Sequence, residues 1–407
     1  MNIQELRNMF PALSRTVYGK PLVYFDNAAT AQRPQTVIDK WTGLAIGANA
    51  NIHRAVHKLA VDATDEYEST RDAVKEYINA AAREEIVFTS GTTGSINLVA
   101  FSFGETFVNE GDEIIVSESE HHSNIVPWQM LCQRKGAVLR VLHVDEDGHL
   151  NLEELKSLLN PKTRIVAVTQ ISNVLGILNP VKEIVSVCHS AGCPVLIDGA
   201  QGMVHEGVDV QDVDCDFYAF SGHKLYAATG TGVLYGKRKW LDQMVPYQGG
   251  GEMISTVRFS GTTYAPLPEK FEAGTQNINA IPTLEPAIEM LKLMKDKELL
   301  NAQEAVSQYL LHALTSNPRV RLYGVPRGTE TKIPLFSFSV EGAHHEDLAL
   351  ILDKMGIAVR SGQMCAEPLM DRFGVTGMLR ASLAPYNTMD EAEYFIKSLD
   401  KATAMLV

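Results

Sequence analysis

The chain has 407 residues and a formal net charge of −13, from 36 lysines and arginines against 49 aspartates and glutamates. Its 45% hydrophobic and 21% charged residues fit an ordinary globular protein, longer than one core usually grows, so two domains in one continuous fold are expected. The acidic balance, with no lysine or arginine cluster, argues against nucleic acid or anionic membrane as a partner, and no apolar run is long enough to span a bilayer.

The opening MNIQELRNMF lacks the basic and apolar regions of a signal peptide, which makes the cytoplasm the expected location. From about residue 21 to 236, short apolar strands alternate with helical segments. Strands are expected at 22–25, 86–89, 113–117, 138–143, 164–169, 194–198, 217–221 and 232–235. The segment 61–81, with Tyr67, Val74 and Ile78 on one face, is a typical amphipathic helix between them. This alternation predicts an α/β fold with a mainly parallel sheet covered on both sides, which binds ligands at the carboxyl ends of its strands.

Residues 245–278 are rich in Gly, Pro and Thr and too long for a simple connection; they read as an excursion, with a hairpin reaching toward a partner subunit. One long helical stretch is expected at about 280–314. A smaller α+β unit follows, with strands at 321–323, 335–340, 358–360 and 379–383. Its last helix is signalled by the capping box Thr388/Glu391 and by Ala392, Phe395, Ile396 and Leu399 at helical spacing.

The polar motifs fall just after strands. Ser221-Gly222-His223-Lys224 puts a lysine directly behind the buried run 217–220, a costly place for an ordinary surface charge, and reads as a Schiff-base lysine for pyridoxal phosphate. Asp198, ending the run VLID, faces the ring nitrogen in that reading, or simply caps a helix. Gln201 is placed to bond the ring hydroxyl. Ser90-Gly91-Thr92-Thr93-Gly94 opens a helix whose free N–H groups suit a phosphate, although it is not a P-loop, and Ser221 and His223 approach the same phosphate. His121 or His122 supplies a stacking ring; no third ligand at matching spacing supports a metal. Asn173 follows the strand ending at Thr169.

Of the five cysteines, Cys132, Cys188, Cys193 and Cys215 read as small buried apolar residues, and their spacings fit no zinc pattern. Cys365, in AVRSGQMCAEP, sits among glycine and polar residues, where a nucleophilic thiol is found. Arg360 and Arg380 are near it; Arg380 suits a bidentate clamp on a carboxylate, against the alternative of surface ion pairs for both.

Taken together, YFDNAATAQRP, NIHRAVH, SEHHSNIVPW, ISNVLG, IDGAQG, DFYAFSGHKLY, FEAGTQN, RSGQMCAEP and LRASLAPYNT resemble the group II (SUF-type) cysteine desulfurases, relatives of the selenocysteine lyases among the fold-type I pyridoxal phosphate enzymes. The resemblance spans almost the whole chain. It implies a large cofactor domain over 21–290, whose 245–278 excursion meets the partner subunit, and a small α+β domain made of 1–20 and 291–407. It also implies Lys224 bound to the cofactor, His121 stacked on the ring and active in proton transfer, Asp198 on the ring nitrogen, Gln201 on the ring hydroxyl, and Asn173 beside ring and substrate. Arg380 would bind the substrate carboxylate, with Arg360 close by. Thr92, Thr93, Ser221 and His223 would hold the phosphate, joined by Thr275 of the second subunit of a homodimer, with His53 and Arg54 near the neighbouring active site. Cys365 would form a persulfide from L-cysteine and pass it to a sulfur acceptor protein of the SufE or SufU kind for iron–sulfur cluster assembly. Selenocysteine lyase, another pyridoxal phosphate activity and a non-catalytic scaffold are the alternatives. The chain departs from the pattern at Ser90 and Gly94, at Ala227-Ala228 where Gly-Pro is usual, and at Met364 where many members have His. The last predicts a slower or more acceptor-dependent enzyme.

Overall fold

In the computed structural model, which describes residues 1–325 and 332–407, the centre is a seven-stranded sheet. Its strands are β1 (Ile86–Thr89), β2 (Glu113–Ser117), β3 (Val138–Leu142), β4 (Thr163–Thr169), β5 (Val195–Asp198), β6 (Phe217–Ser221) and β7 (Gly232–Gly236). Across the sheet the order is β1-β7-β6-β5-β4-β2-β3, and every neighbouring pair is parallel except the two that β7 makes. The central strands are apolar on both faces because both faces are covered. Val166 and Val168 of β4 join one core with Val195 and Ile197 of β5, while Ile165, Ala167 and Leu196 join the opposite core under the helix Thr92–Phe107.

The expected strand at 22–25 forms, but not in this sheet. Val23–Tyr24 pairs in parallel with Ile357–Ala358 of the C-terminal unit, and Val23 and Phe25 bury there against Phe336, Phe338 and Phe395. An apolar run specifies a buried strand without saying which sheet it joins. The expected continuous helix at 280–314 is two helices, Leu284–Met294 and Lys297–Ser316. At the break the Asp296 carboxylate accepts the amides of Glu298 and Leu299 at 2.9 and 3.4 Å, capping the second helix. The break has a packing reason: Leu284, Ile288 and Leu291 bury against the large sheet, and Val306, Leu310 and Leu314 against the small one.

That small sheet is antiparallel, built from β8 (Val320–Tyr323), β9 (Leu335–Val340), β10 (Arg360–Gly362) and β11 (Met378–Ser382) in the order β8-β9-β11-β10. The Thr388/Glu391 capping box starts its last helix, Met389–Leu406, as expected. Leu6, Phe10 and Leu13 of the N-terminal segment pack into the core of the large sheet, with the Phe10 ring 4.7 Å from Tyr386. Within 245–278, Ile254–Arg258 and Gly261–Tyr264 form a hairpin exposed on both faces, with Phe259 fully exposed at its tip. No helix among the described residues is long and apolar enough to cross a membrane.

One buried ion pair holds the edge strand that leads into the site. Arg71 meets Glu272 through two bonds of 2.7 and 2.9 Å and donates to the Ile86 carbonyl of β1 at 2.7 Å. Glu272 in turn accepts the Phe88 amide at 2.7 Å and the Tyr67 hydroxyl at 3.0 Å. Removing the guanidinium strands a desolvated carboxylate, so Arg71→Met is expected to cost about 3–5 kcal/mol, read as a lower urea midpoint by circular dichroism. An unchanged midpoint would remove this account.

Candidate active site

The turns that follow β1, β2, β4, β5 and β6 meet β10 and β11 around a cavity of about 270 Å³, at the small end of ligand cavities. Lys224 enters it from the turn after β6. That turn is tight: a Cβ on Gly222 would stand 2.1 Å from the Thr231 hydroxyl. Burial pushes the Lys224 ammonium down to about 8, and Arg380 adds to this, while Asp198 and Cys365 oppose it. Asp198, at the end of β5, is buried, and its carboxylate accepts the Ala200 amide at 2.9 Å. Burial raises its pKa, against the Ala200 bond and Lys224. The next helix, Gly202–His205, has Gln201 at its N-cap, so Asp198 does not cap it. Gln201 lines the cavity and donates to the Ala28 carbonyl at 2.7 Å.

After β1, Gly91 takes φ 145°, a conformation that favours glycine, and turns the chain into the helix Thr92–Phe107. The Thr92 amide donates to the Ser221 hydroxyl at 2.7 Å, and the two hydroxyls are bonded at the same distance, so the turns after β1 and β6 are tied together. His223 shares a 2.9 Å bond between Nδ1 and the Thr30 hydroxyl, and burial pushes it down to about 4. Thr92, Thr93, Ser221 and His223 all line the cavity.

After β2, the segment 118–124 hangs on Glu120. This buried carboxyl accepts from Ser117, from the Asn124 amide group at 2.7 Å and from the Thr169 main-chain N–H at 2.9 Å, and burial pushes it up to about 8. His121 lines the cavity. Its Nδ1 accepts the Ser123 amide at 3.0 Å, which leaves Nε2 for exchange with the cavity, and burial followed by Lys224 lowers it to about 4. Its neighbour His122 faces elsewhere, onto the segment that carries Cys365.

Arg380, buried on β11, donates to the Asn173 carbonyl at 2.7 Å and reaches Asp26 at 3.4 Å, while its Nε is buried without a partner. Burial pulls it down to about 10, with Asp26 resisting. Arg360, half-exposed at the rim, holds Asp26 at 2.7 and 3.3 Å. Cys365 is exposed and lines the same cavity, whereas the other four cysteines are buried. Met364 and Cys365 both sit at positive φ, 49° and 55°, a conformation that costs non-glycine residues about 1–2 kcal/mol each. Met364 buries its side chain among Val174, Leu369, Met370 and Met378, and its carbonyl accepts from Asn173 at 2.8 Å. The chain uses this position as an apolar anchor where an imidazole is common. Where Gly-Pro is usual, Ala228 instead donates its N–H to Thr283 at 3.1 Å and accepts the Thr231 hydroxyl at 2.7 Å, so hydrogen bonds fix that loop.

Three expected site residues are not in this cavity. Thr275 lines a separate hollow with Ser90, Gly94 and Gln276, on the other side of the turn after β1. His53 bonds Glu68 at 3.0 Å, and Arg54 pairs with Glu252 at 2.8 Å. Conversely, Asp26, Thr30 and Glu120 belong to the site's framework without having been singled out. Asp26 stands in the motif YFDNAAT, and its acid was the available signal. The residues present fit pyridoxal phosphate on their own chemistry: an amine of lowered pKa, a buried carboxyl with one amide donor, hydroxyls at a helix N-terminus, and an orphaned guanidinium nitrogen.

The family model Aminotransferase class-V matches residues 23–395. The chain is 46% identical to a cysteine desulfurase of Pectobacterium atrosepticum over 405 residues, 99% of this chain and 98% of the relative. It is 45% identical to a cysteine desulfurase of Escherichia coli over 406 residues, covering 100% and 99%. Among solved structures, the Escherichia coli cysteine desulfurase CsdA, in an S-sulfonic acid form, superposes with a TM-score of 0.91 at 40% identity over 100% of both chains. The apo cysteine desulfurase of Thermococcus onnurineus NA1 gives 0.92 at 34%, over 100% of this chain and 99% of that one.

The lowered pKa of Lys224 has a direct consequence. In cofactor-free protein, imine formation with an added aldehyde, trapped by borohydride, is expected to rise with pH around 8 instead of around the ordinary lysine value of 10.5. Asp198→Asn removes a carboxylate that favours the ammonium, so the midpoint moves lower still. A wild-type midpoint near the ordinary lysine value would contradict the geometry.

Proposed function

The chain belongs to the aminotransferase class-V family, and from that premise we propose that it is a pyridoxal phosphate-dependent cysteine desulfurase that forms alanine from L-cysteine with Cys365 as the sulfur-accepting nucleophile. One observation carries this reading: the exposed thiol of Cys365 lines the same cavity as Lys224, Asp198 and Arg380. Lys224 would hold the cofactor, with Asp198 at the ring nitrogen, Gln201 at the ring hydroxyl and His121 against the ring face. Thr92, Thr93, Ser221 and His223 would hold the phosphate. Bound there, the cofactor supplies an electron sink for negative charge at the substrate Cα.

The chain's own residues then have distinct tasks. Arg380 offers its unpartnered Nε to the substrate carboxylate, and Arg360 guards the rim while holding Asp26. Lys224, whose ammonium burial pulls down to about 8, is free amine near neutral pH far more often than an ordinary lysine, and takes the Cα proton. Cys365 attacks the substrate sulfur. Its new S–S bond forms as the substrate Cβ–S bond breaks, and the bond's electron pair stays with carbon, which takes up protons through Nε2 of His121 or Lys224 and leaves as alanine. Atoms balance without an oxidant: cysteine plus thiol gives alanine plus persulfide.

Three features of the larger assembly belong to the same reading. Thr275, His53 and Arg54 lie outside their own chain's cavity, and Arg54 pairs with Glu252 just before the exposed hairpin Ile254–Arg258 and Gly261–Tyr264, which suits a homodimer in which they serve the neighbouring site. Cys365 is exposed, as delivery to a sulfur acceptor protein of the SufE or SufU kind requires, and iron–sulfur cluster assembly in the cytoplasm is the destination we assign. Lys224 belongs to the large part and Arg380 and Cys365 to the small one, and the division expected at 21–290 shifts at the N-terminus, where Leu6, Phe10 and Leu13 pack into the large core and Val23–Tyr24 pairs with the small unit.

The test is alanine formation together with intact mass. Wild-type protein given L-cysteine without reductant is expected to gain sulfur on Cys365 and release alanine. Cys365→Ser should lose both while keeping cofactor absorbance, and Lys224→Ala should lose the absorbance as well. Alanine released at the wild-type rate by Cys365→Ser would overturn the persulfide route.

A further inference from the structure

His122 has no place in the chemistry above, yet it makes two contacts with the nucleophile's segment. Its main-chain N–H donates to the Cys365 carbonyl at 2.7 Å. Its ring Nε2 accepts the main-chain N–H of Glu367 at 3.0 Å. Glu367 is the first residue of the helix Glu367–Phe373, whose N-cap, Ala366, supplies no side-chain bond. The ring therefore satisfies an amide that a helix start leaves unpaired, from a position 245 residues away in sequence. Because Nε2 accepts, the ring proton is on Nδ1.

On the other side of Cys365, Asn173 donates to the Met364 carbonyl at 2.8 Å. The two residues held between these anchors, Met364 and Cys365, are the pair at positive φ, 49° and 55°. A non-glycine pair stays in that conformation only when its surroundings over-determine it. His122 and Glu120 share the short turn after β2, and Glu120 roots that turn in the large domain through Ser117, Asn124 and Thr169. The cysteine comes from the small domain, so the ring bond crosses the domain boundary.

We propose that His122 is a positioning residue that holds Cys365 in its strained conformation, with the thiol over the cavity, by accepting the Glu367 amide. The proposal rests on Cys365 being the sulfur-accepting nucleophile. It predicts that losing the acceptor lets the 363–367 segment relax, which withdraws the thiol without altering how the cofactor or L-cysteine is bound. Misplacement of a reacting group of this kind costs about 10- to 100-fold in rate.

The experiment compares His122→Leu, His122→Gln and Cys365→Ser as holoenzymes. For His122→Leu the expected result is a kcat for alanine about 10- to 100-fold lower, with KM, cofactor absorbance and the cysteine-induced spectral change retained. Limited proteolysis should cut faster within 360–367. His122→Gln, whose side-chain carbonyl can accept the same amide, should recover most of the rate. The proposal is overturned if His122→Leu turns over like wild type, if it loses the cofactor absorbance, or if the glutamine variant is as slow as the leucine one. Full alanine production by Cys365→Ser would instead sink the nucleophile assignment, so the two failures are distinguishable.

Discussion

The site depends on a charge balance among buried groups around a small cavity. Lys224, Arg380 and Asp198 line it and Asp26 reaches Arg380 at 3.4 Å, the four coming from four different stretches of chain. Neither cation is fully matched. Lys224 is pulled down to about 8 because desolvation outweighs the attraction of Asp198, and Arg380 is pulled down to about 10 although Asp26 is near. Such a cavity is costly as a piece of protein architecture. It becomes sensible once an anion with two acidic ends, a phosphorylated ring and an amino acid carboxylate, is to be held there.

The same residues join the two domains. Asp26 leaves the small-domain strand Val23–Tyr24 and is gripped by Arg360 of β10 and Arg380 of β11. Arg380 then donates to the Asn173 carbonyl, and the Asn173 side chain donates to the Met364 carbonyl. A continuous chain of bonds therefore runs from the guanidinium suited to a substrate carboxylate to the residue before the thiol. Whatever orients Arg380 also bears on Cys365, through one asparagine that belongs to the large domain.

Much of this was legible in the sequence, and the failures have physical reasons. The central strands of the main sheet are apolar runs bounded by polar turns, and doubly covered strands show that pattern, whereas the edge strand β3 is largely exposed. The motif positions Lys224, Asp198, His121 and Thr92 could be read because each follows such a run. The partner of the strand Val23–Tyr24 could not, since apolar character says that a strand is buried and is silent about its neighbour. The helix break at Asp296 was signalled by an N-capping acid inside a periodic run, and periodicity outweighed it. Glu120 stayed hidden for another reason. An acid in a polar stretch reads as solvated, and only the fold reveals that three donors surround Glu120.

Met364 shows how a departure from a family pattern is better judged by packing than by the lost group. Read from the sequence, it removes an imidazole that could assist the thiol. In the fold, its side chain is one wall of an apolar cluster with Leu369, Met370 and Met378, and its main-chain carbonyl is the acceptor that Asn173 uses. An imidazole at that position would face a desolvated, apolar wall, where burial disfavours its charged form. The cations nearest the thiol are instead Lys224 and Arg380, which line the same cavity as Cys365. The methionine therefore exchanges a local electrostatic aid for an anchor in the segment.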